Sequence, residues 1–343
     1  MITIYTTDHR LRNARTELHD GQLVAPFECP ERAQYVLDKV RSERLGDVIA
    51  PEPFERAALT RVHDAGYVEF LSSAWTEWVA NGRHGEAIPD CWPARRMTQR
   101  VPATIAGKLG YYAMAAETSI SEGTWQAACA AADVALTGAE RLRRGASAAF
   151  ALCRPPGHHA ARDLYGGYCF LNNAAIAAQY LRDHGAARVA ILDVDFHHGN
   201  GTQDIFYERA DVLFVSLHGD PATAFPYFSG YADETGSGAG TGFNVNYPLP
   251  AGTPFPQWRD ALLAALRRIW DHRADALVVS LGVDTFSGDP ISSFRLDSPD
   301  FSAYGRLVGE CGLPTLFVLE GGYAVAEIGI NVVNVLTGFE GRR

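Results

Sequence analysis

Five short apolar runs, each ending in Gly, Pro or Asp, constrain most strongly how this chain can fold. They are rich in Val, Ile, Leu and Phe and show little polar alternation, which is typical of parallel strands covered on both faces. A first strand is also predicted in the opening segment, MITIYTTDHR, whose apolar run is too short for a signal peptide. The five runs are AFALCRP (149–155), RVAILDVD (188–195), DVLFVSLHGD (211–220), DALVVSLGVD (275–284) and PTLFVLEGG (314–322).

Helical stretches separate these runs. Residues 124–145, 171–185 and 256–273 carry apolar stripes, and the first two end at a glycine. Alternating strands and helices predict an α/β protein: a single domain over residues 1–343, with a central, mostly parallel, doubly wound sheet and helices on both faces. Residues 82–104 combine Pro, Gly and charge with poor periodicity, which predicts a long ordered loop inserted into this domain.

Composition excludes several classes of partner. The net charge is −10 and the sequence pI is near 5.5, so bulk binding to nucleic acid or to an anionic membrane is not expected. No apolar stretch approaches the ~18 residues of a membrane span. The six cysteines form no C-x-x-C pair and indicate reduced thiols. A cytoplasmic protein is therefore predicted.

Polar side chains stand at the C-terminal ends of four predicted strands, which is where such sheets bind ligands. These ends should meet at one edge of the sheet. The side chains are His158 and His159 after the first run, Asp193, Asp195 and His197 at the second, Asp284 at the fourth and Tyr323 after the last.

The D-x-D-x-H spacing predicts a metal site. Alternate side chains of an extended chain share one face, so Asp195 and His197 can bind one ion, with Asp284 as the third ligand. Three protein ligands leave a position open for water and substrate, as in catalytic zinc sites. Nitrogen and oxygen donors without sulfur suit Zn²⁺, although Fe²⁺ or Co²⁺ would also fit. Each residue alone could simply end a strand, but the set together favours a metal.

The remaining residues of this group suit proton transfer and charge stabilisation. Adjacent imidazoles at His158 and His159 could act as acid and base beside a metal, with Asp193 orienting one of them; a rigid structural turn is the alternative. Tyr323 follows two glycines, whose flexibility would let its phenol approach the oxyanion of a tetrahedral intermediate. A buried aromatic side chain is the alternative for Tyr323.

Five segments resemble the signatures of the zinc-dependent histone deacetylase family, which has the arginase–deacetylase fold. They occur in the family's order across about 150–323, and RVHDAGYVEFL (61–71) extends the match. TDHRLRNARTEL near the start, together with the 82–104 segment, is most similar to bacterial acetylpolyamine amidohydrolases. The five segments are CRPPGHHA, GGYCFLNNAAIAA, ILDVDFHHGNGTQDIFY, LGVDTF and LEGGY.

The resemblance implies a role for each matching residue. Zinc would be bound by Asp195, His197 and Asp284. His159 would be the general base and then the general acid, His158 an electrostatic partner held by Asp193, and Tyr323 the oxyanion donor. Gly167, Tyr168 and Phe225 would line a tunnel for the methylene chain of the substrate, with Glu17 and Glu117 as candidate acids at its mouth. Either glutamate could instead be an ordinary surface carboxylate.

Structural potassium is also implied. One ion would be held by Ser216 and by backbone carbonyls of Asp193, Asp195, His197 and Leu217, and a second would lie near Phe206, Arg209 and Val212. Two positions depart from family patterns. Asn200 stands where some members have Asp, which would leave His159 a neutral orienting partner. Ala106 stands near where some polyamine-type members carry an acid, which weakens the polyamine assignment.

The implied activity is removal of acetyl groups from acetylated polyamines or diamines, which are small cationic amines. A homodimer is expected, with residues 82–104 packing across it and narrowing both active-site mouths. Deacetylation of acetyl-lysine in proteins or peptides uses the same chemistry and stays open. A ureohydrolase would need a second metal, but GVDTFSGDP offers no acid two residues from Asp284. A non-catalytic acetyl-amine binding protein is the remaining alternative.

Overall fold

Within residues 1–341, which are those that this computed structural model describes, eight parallel strands form one central sheet. A separate two-stranded hairpin is formed by β2 and β3. The strands are β1 (Ile2–Ile4), β2 (Glu17–His19), β3 (Gln22–Val24), β4 (Val48–Ile49), β5 (Ala148–Ala151), β6 (Val189–Asp193), β7 (Val212–Gly219), β8 (Asn244–Leu249), β9 (Ala276–Leu281) and β10 (Thr315–Leu319).

Nine α-helices lie within the same described residues, and short 3₁₀ turns occur at Thr7–Leu11, Arg56–Arg61 and Gly238–Gly240. The helices are α1 (Glu31–Ser42), α2 (Ala65–Ala80), α3 (Ile105–Tyr112), α4 (Thr124–Arg143), α5 (Asn173–Asp183), α6 (Asn200–Phe206), α7 (Phe255–His272), α8 (Ser298–Gly309) and α9 (Ile328–Phe339).

The strand order brings the strands with polar ends together. From one edge to the other the order is β4-β1-β5-β10-β9-β6-β7-β8, and every neighbouring pair is parallel. After β5 the chain forms β6, and then β7 and β8 on the far side of β6. The last two strands, β9 and β10, lie between β6 and β5. The four central strands β5, β10, β9 and β6 therefore end side by side at this change of direction, where parallel sheets bind ligands.

Both faces of the sheet are covered. Ala149 and Ala151 of β5 belong to one buried core cluster, which includes residues of α2, α3, α4 and α5, whereas Phe150 between them belongs to a second cluster, which includes residues of α1, α7, α8 and α9. Residues on both faces of β5 are therefore buried, which explains why its run reads as continuously apolar. The prediction of a single α/β domain with a parallel sheet and helices on both faces is confirmed.

The predicted helices are observed with small shifts at their ends. The stretch 171–185 becomes α5, which begins later because the Asn172 side chain caps it by accepting a hydrogen bond from Ala175 N (2.9 Å). Residues 82–104 contain no helix or strand and are joined to the domain by a bridge between Ala87 and Ile120. No helix of the described residues is long and apolar enough to cross a membrane.

Candidate active site

Two aspartates and one histidine meet at the C-terminal ends of the central strands. Asp195 and His197 follow β6, and Asp284 follows β9. One ligand atom from each lies within 4.8 Å of the others, and all three residues are buried. His197 Nδ1 is 2.9 Å from Asp284 Oδ2 and 3.3 Å from Asp195 Oδ1. These three residues, which we call the Asp–His–Asp triad, are brought together as the sequence predicts.

The chain leaves the strand before it reaches the triad. β6 ends at Asp193, so the alternation expected for an extended chain does not itself set Asp195 and His197. A stepwise pattern replaces it: Asp193 accepts a hydrogen bond from Asp195 N (3.1 Å), and Asp195 accepts one from His197 N (2.9 Å). Each carboxylate thus fixes the backbone two residues further on, as in Asx turns.

The triad fits a divalent cation. Asp195 and Asp284 are fully buried and adjacent, and burial together with the neighbouring Asp195 carboxylate raises the pKa of Asp284. A bound dication would offset this repulsion, and two oxygen donors with one imidazole are ligands that zinc accepts. Close backbone supports the carboxylates: Gly321 N donates to Asp195 Oδ2 (2.7 Å), and a Cβ at Gly321 would lie 2.5 Å from that oxygen.

Two adjacent histidines beside the triad have different partners. His158 Nδ1 lies 3.0 Å from Asp193 Oδ2, and His159 Nδ1 lies 2.7 Å from Asn200 Oδ1. Burial opposes protonation of His158, but Asp193 and Asp195 raise its pKa to about 10. Burial and the nearby imidazoles of His158 and His197 lower the pKa of His159. The pair therefore combines a charged His158 with a neutral His159 that can accept a proton.

Tyr323 is held more firmly than its two preceding glycines suggest. Its backbone N–H donates to Asp289 Oδ2 (2.7 Å), and Arg32 Nε donates to Gly322 O (2.7 Å). The Arg32 guanidinium also lies 4.8 Å from the centre of the Tyr323 ring. These contacts fix the Gly321–Gly322 segment, which the sequence predicts to be flexible. Burial raises the pKa of Tyr323 well above its ordinary value, so its hydroxyl remains a hydrogen-bond donor.

A cavity of about 490 Å³ opens above these residues. His159, His197 and Tyr323 form part of its floor. All five residues predicted to contact the substrate lie on its wall, namely Glu17, Glu117, Gly167, Tyr168 and Phe225.

Hydrogen bonds join the two acidic residues to the tunnel wall. Tyr168 Oη donates to Glu17 Oε1 (3.0 Å), and Gly167 N donates to Glu117 Oε1 (2.6 Å). Gly167 has a φ of +56°, and a Cβ there would lie 2.2 Å from the His159 ring, so glycine is required at this point. Burial raises the pKa of Glu17, which is 2% exposed. Neither acid is thus a freely solvated surface group.

The residues implied for potassium lie mainly along β6 and β7. Asp193 pairs with Ser216 across the two strands, Leu217 follows Ser216, and Asp195 and His197 lie just beyond β6. Ser216 Oγ is 2.7 Å from His218 Nδ1. In the second group, Phe206 ends α6 and Val212 begins β7. Arg209 lies between them, and its side chain donates a hydrogen bond to Asp211 (2.6 Å).

The sequence does not predict several residues of the site. Arg32 and Asp289 hold the Tyr323 segment. Glu320 accepts hydrogen bonds from Gly157 N (2.6 Å) and His158 N (3.1 Å), and it lies in the LEGGY segment, which is a usable signal. Arg32 belongs to an ordinary amphipathic helix and has none. The mouth adds Leu18, His19, Asp20, Asp220 and Tyr227.

The chain is similar in sequence to a known family and to several named proteins. Residues 26–339 match the sequence family of the histone deacetylase domain. The chain is 60% identical over 341 residues to acetylpolyamine amidohydrolase 2 of Pseudomonas aeruginosa, covering 99% of each protein. It is 57% identical over 341 residues to the acetylpolyamine amidohydrolase of Mycoplana ramosa, covering 99% of this chain and 100% of that protein.

Solved structures agree in fold. The crystal structure of acetylpolyamine aminohydrolase from Burkholderia pseudomallei superposes with a TM-score of 0.95 at 40% identity, covering 99% of this chain and 98% of that one. The HDA15 HD domain superposes with a TM-score of 0.81 at 26% identity, covering 99% and 88%. The resemblance drawn from the motifs is confirmed.

Proposed function

The chain belongs to the histone deacetylase family and is a deacetylase, and from that premise we propose that it removes acetyl groups from acetylated polyamines or diamines. The observation that carries this proposal is the position of the triad beneath a cavity whose wall bears Glu17 and Glu117. The relatives of 57–60% identity, which are named acetylpolyamine amidohydrolases, support it over nearly the whole chain.

We propose Zn²⁺ as the metal, with Fe²⁺ or Co²⁺ as alternatives that the same donors accept. Asp195, His197 and Asp284 would hold it. When bound, such a metal polarises the amide carbonyl and lowers the pKa of water, which prepares both partners for attack. Every other part of the reaction falls to side chains of this chain.

His159 has the position and charge state of a general base. It is neutral, lines the cavity and is oriented through Nδ1 by Asn200 at 2.7 Å, which leaves Nε2 to accept the proton of the attacking water. The same nitrogen then returns that proton to the departing amine. Because Asn200 is neutral, the imidazolium formed midway has no carboxylate of its own to stabilise it, which favours prompt return of the proton.

His158 and Tyr323 stabilise the charge that develops. His158, protonated and bonded to Asp193, is a fixed positive group whose ring centre lies 4.0 Å from that of His159. Tyr323 stays protonated and can donate to the oxyanion as the amide carbon becomes tetrahedral. The pairing of Tyr323 N with Asp289 holds this donor in place before substrate arrives.

Selection of a cationic amine is assigned to the mouth. Phe225 and Tyr168 offer apolar walls to a methylene chain, and the Phe225 ring packs edge-on to His159 with centres 5.1 Å apart. Glu17 and Glu117 carry negative charge toward an ammonium group further along. Ala106 adds no acid, so we assign selectivity to Glu17 and Glu117.

The structural potassium sites and the homodimer are further parts of the proposal. Carbonyls and the Ser216 hydroxyl supply the oxygen donors that such an ion needs. Residues 82–104 expose Met97 (57%) and Val101 (48%), which a second copy could cover. In such a dimer the loop would narrow both mouths and exclude bulky proteins.

A panel of substrates tests the proposal. Acetate release would be measured as kcat/KM for N-acetylputrescine, acetylcadaverine, acetylspermidine and acetyl-lysine peptides, using enzyme with defined metal. Acetylated diamines or polyamines should be preferred by at least about tenfold, which corresponds to about 1.4 kcal/mol. A preference for acetyl-lysine peptides would replace the proposed substrate while keeping the chemistry, and no turnover of any acetylamide would refute the mechanism.

A further inference from the structure

A second group of potential metal ligands includes one member of the histidine pair. It comprises His158, Cys169 and Glu320, which we call the His–Cys–Glu cluster. One ring nitrogen, the thiol sulfur and one carboxylate oxygen all lie within 4.8 Å of one another, and all three residues are buried. Of the three, only His158 has a place in the proposed mechanism.

Sulfur distinguishes this cluster from the Asp–His–Asp triad. A thiolate, an imidazole and a carboxylate together favour thiophilic divalent ions such as Zn²⁺ or Cd²⁺, whereas magnesium and calcium prefer oxygen alone. Zinc bonds of about 2.0–2.3 Å place neighbouring tetrahedral ligands about 3.5 Å apart, so the three side chains would have to draw together only modestly.

Outer contacts already orient two of the ligands. His158 Nδ1 is bonded to Asp193 (3.0 Å), whereas Nε2 is 3.9 Å from Asp195 Oδ2, which is too long for a hydrogen bond. A carboxylate on one ring nitrogen, with the other free, is the arrangement that supports histidine ligands of metals. Glu320 accepts hydrogen bonds at Oε2 from Gly157 N and His158 N, while Oε1 accepts one from the Ser280 hydroxyl at 3.3 Å.

We propose that the His–Cys–Glu cluster is a second, inhibitory site for a thiophilic divalent cation. On binding, the Cys169 thiol gives up its hydrogen bond to Gly167 O (3.3 Å), and Cys169 and the protonated His158 each release one proton to solvent. The bound ion takes His158 away from its electrostatic role and adds positive charge close to Asp195. This inference goes beyond the proposed function, because metal binding at the cluster can be measured without any substrate.

Cadmium is the probe because a Cd–thiolate bond absorbs in the ultraviolet and the Asp–His–Asp triad contains no sulfur. Zinc-loaded enzyme would be titrated with Cd²⁺ and compared with Cys169→Ala and with Cys91→Ala, which removes an exposed thiol. The absorbance should saturate at one thiolate-bound ion in the wild type and in Cys91→Ala, and be absent in Cys169→Ala. An unchanged signal in Cys169→Ala would overturn the proposal, as would its loss in Cys91→Ala.

Inhibition should follow the same titration. Wild-type enzyme should lose deacetylase activity as the thiolate signal grows. Cys169→Ala should need at least about tenfold more Cd²⁺ for half-inhibition, because removing even a residue that only supports a metal ligand lowers metal affinity by about tenfold or more. Cys169→Ser keeps a similar volume if the alanine variant does not fold, and circular dichroism would establish which variants do. Equal sensitivity of a folded Cys169 variant and the wild type would refute inhibition through this cluster.

Discussion

The floor of the cavity and its mouth are built on different parts of the fold. The floor, which includes His159, His197 and Tyr323, follows the ends of central strands. The mouth takes Glu17 from the β2–β3 hairpin and Tyr227 from the loop after β7. Buried carboxylates fix the floor through backbone N–H groups, whereas the hairpin exposes Leu23 to 65%. Reaction chemistry is thus fixed by the sheet, while substrate choice depends on elements that can vary separately.

Removing a metal ligand should give the largest effect and should affect every substrate equally. Asp284→Ala leaves Asp195 and His197 with an incomplete site, so the metal should be lost and kcat/KM should fall by about 10³-fold or more. Metal analysis and acetate release would measure both. Chelation of the wild type should do the same and be reversed by Zn²⁺. An Asp233→Ala control on the surface should keep its metal, and an active, metal-loaded Asp284→Ala would contradict the site.

The hydroxyl of Tyr323 should contribute the next largest effect. Tyr323→Phe keeps the ring against Arg32 but removes the donor to the oxyanion, so kcat should fall about 10²–10³-fold with metal content and KM nearly unchanged. Steady-state kinetics with metal analysis would show this, and Tyr35→Phe, at an exposed position, serves as the matched control. Full activity in Tyr323→Phe would remove the assigned role.

A negative charge beside His159 should shift the pH dependence of kcat/KM. In the wild type, burial lowers the pKa of His159, so the base stays neutral to a pH below that of an ordinary imidazole. Asn200→Asp adds a carboxylate that favours the imidazolium and raises this pKa. The acidic limb of kcat/KM should therefore shift upward by about one pH unit, costing about tenfold in activity on that limb and little above it.

Asn200→Ala is the control for orientation without charge. It removes the 2.7 Å contact with His159 Nδ1 and should lower kcat at all pH values without moving the acidic limb. If the limb stays in place in Asn200→Asp, then His159 does not set it.

At the mouth, a single charge should matter only for cationic substrates. Glu17→Gln keeps the shape of the side chain and its contact with Tyr168, so KM for acetylated diamines should rise about tenfold with kcat unchanged. KM for a neutral N-acetylalkylamine should not change. Because burial raises the pKa of Glu17, KM for cations in the wild type should start to rise, as pH falls, sooner than an ordinary glutamate would allow. Equal effects on charged and neutral substrates would contradict this role.

The same division explains what the sequence could predict. Runs such as 188–195 and 275–284 are buried on both faces, so their composition identifies the strands, and the rule that ligands bind at strand ends then identifies Asp195, His197 and Asp284. The neighbour order β5-β10-β9-β6 cannot be read in this way, because crossover connections leave several orders open.

The mouth could be predicted only through resemblance to relatives. Glu17 lies in a three-residue strand that is too short to show a periodic pattern. Asp220 follows β7, a strand that contributes no ligand to the triad, so its position does not predict a role in the cavity. Arg32 is fully buried within α1 but is spaced as a charged residue of an amphipathic helix would be. Long-range contacts made by such residues depend on how the elements pack, which local composition does not encode.

The smallest effect on the reaction itself is expected at the 82–104 loop. Met97→Asp places a charge on an exposed apolar side chain of the loop that we assign to a homodimer. Sedimentation should show a shift toward monomer, whereas kcat for acetylated diamines should change less than about twofold, because the loop carries no group of the floor. Activity on acetyl-lysine peptides should rise as the mouth opens. His84→Asp, which adds charge at an exposed position of the same loop without replacing an apolar group, is the matched control. An unchanged assembly with improved peptide activity would mean that the loop screens substrates within one chain, and the mouth would then be complete without a partner.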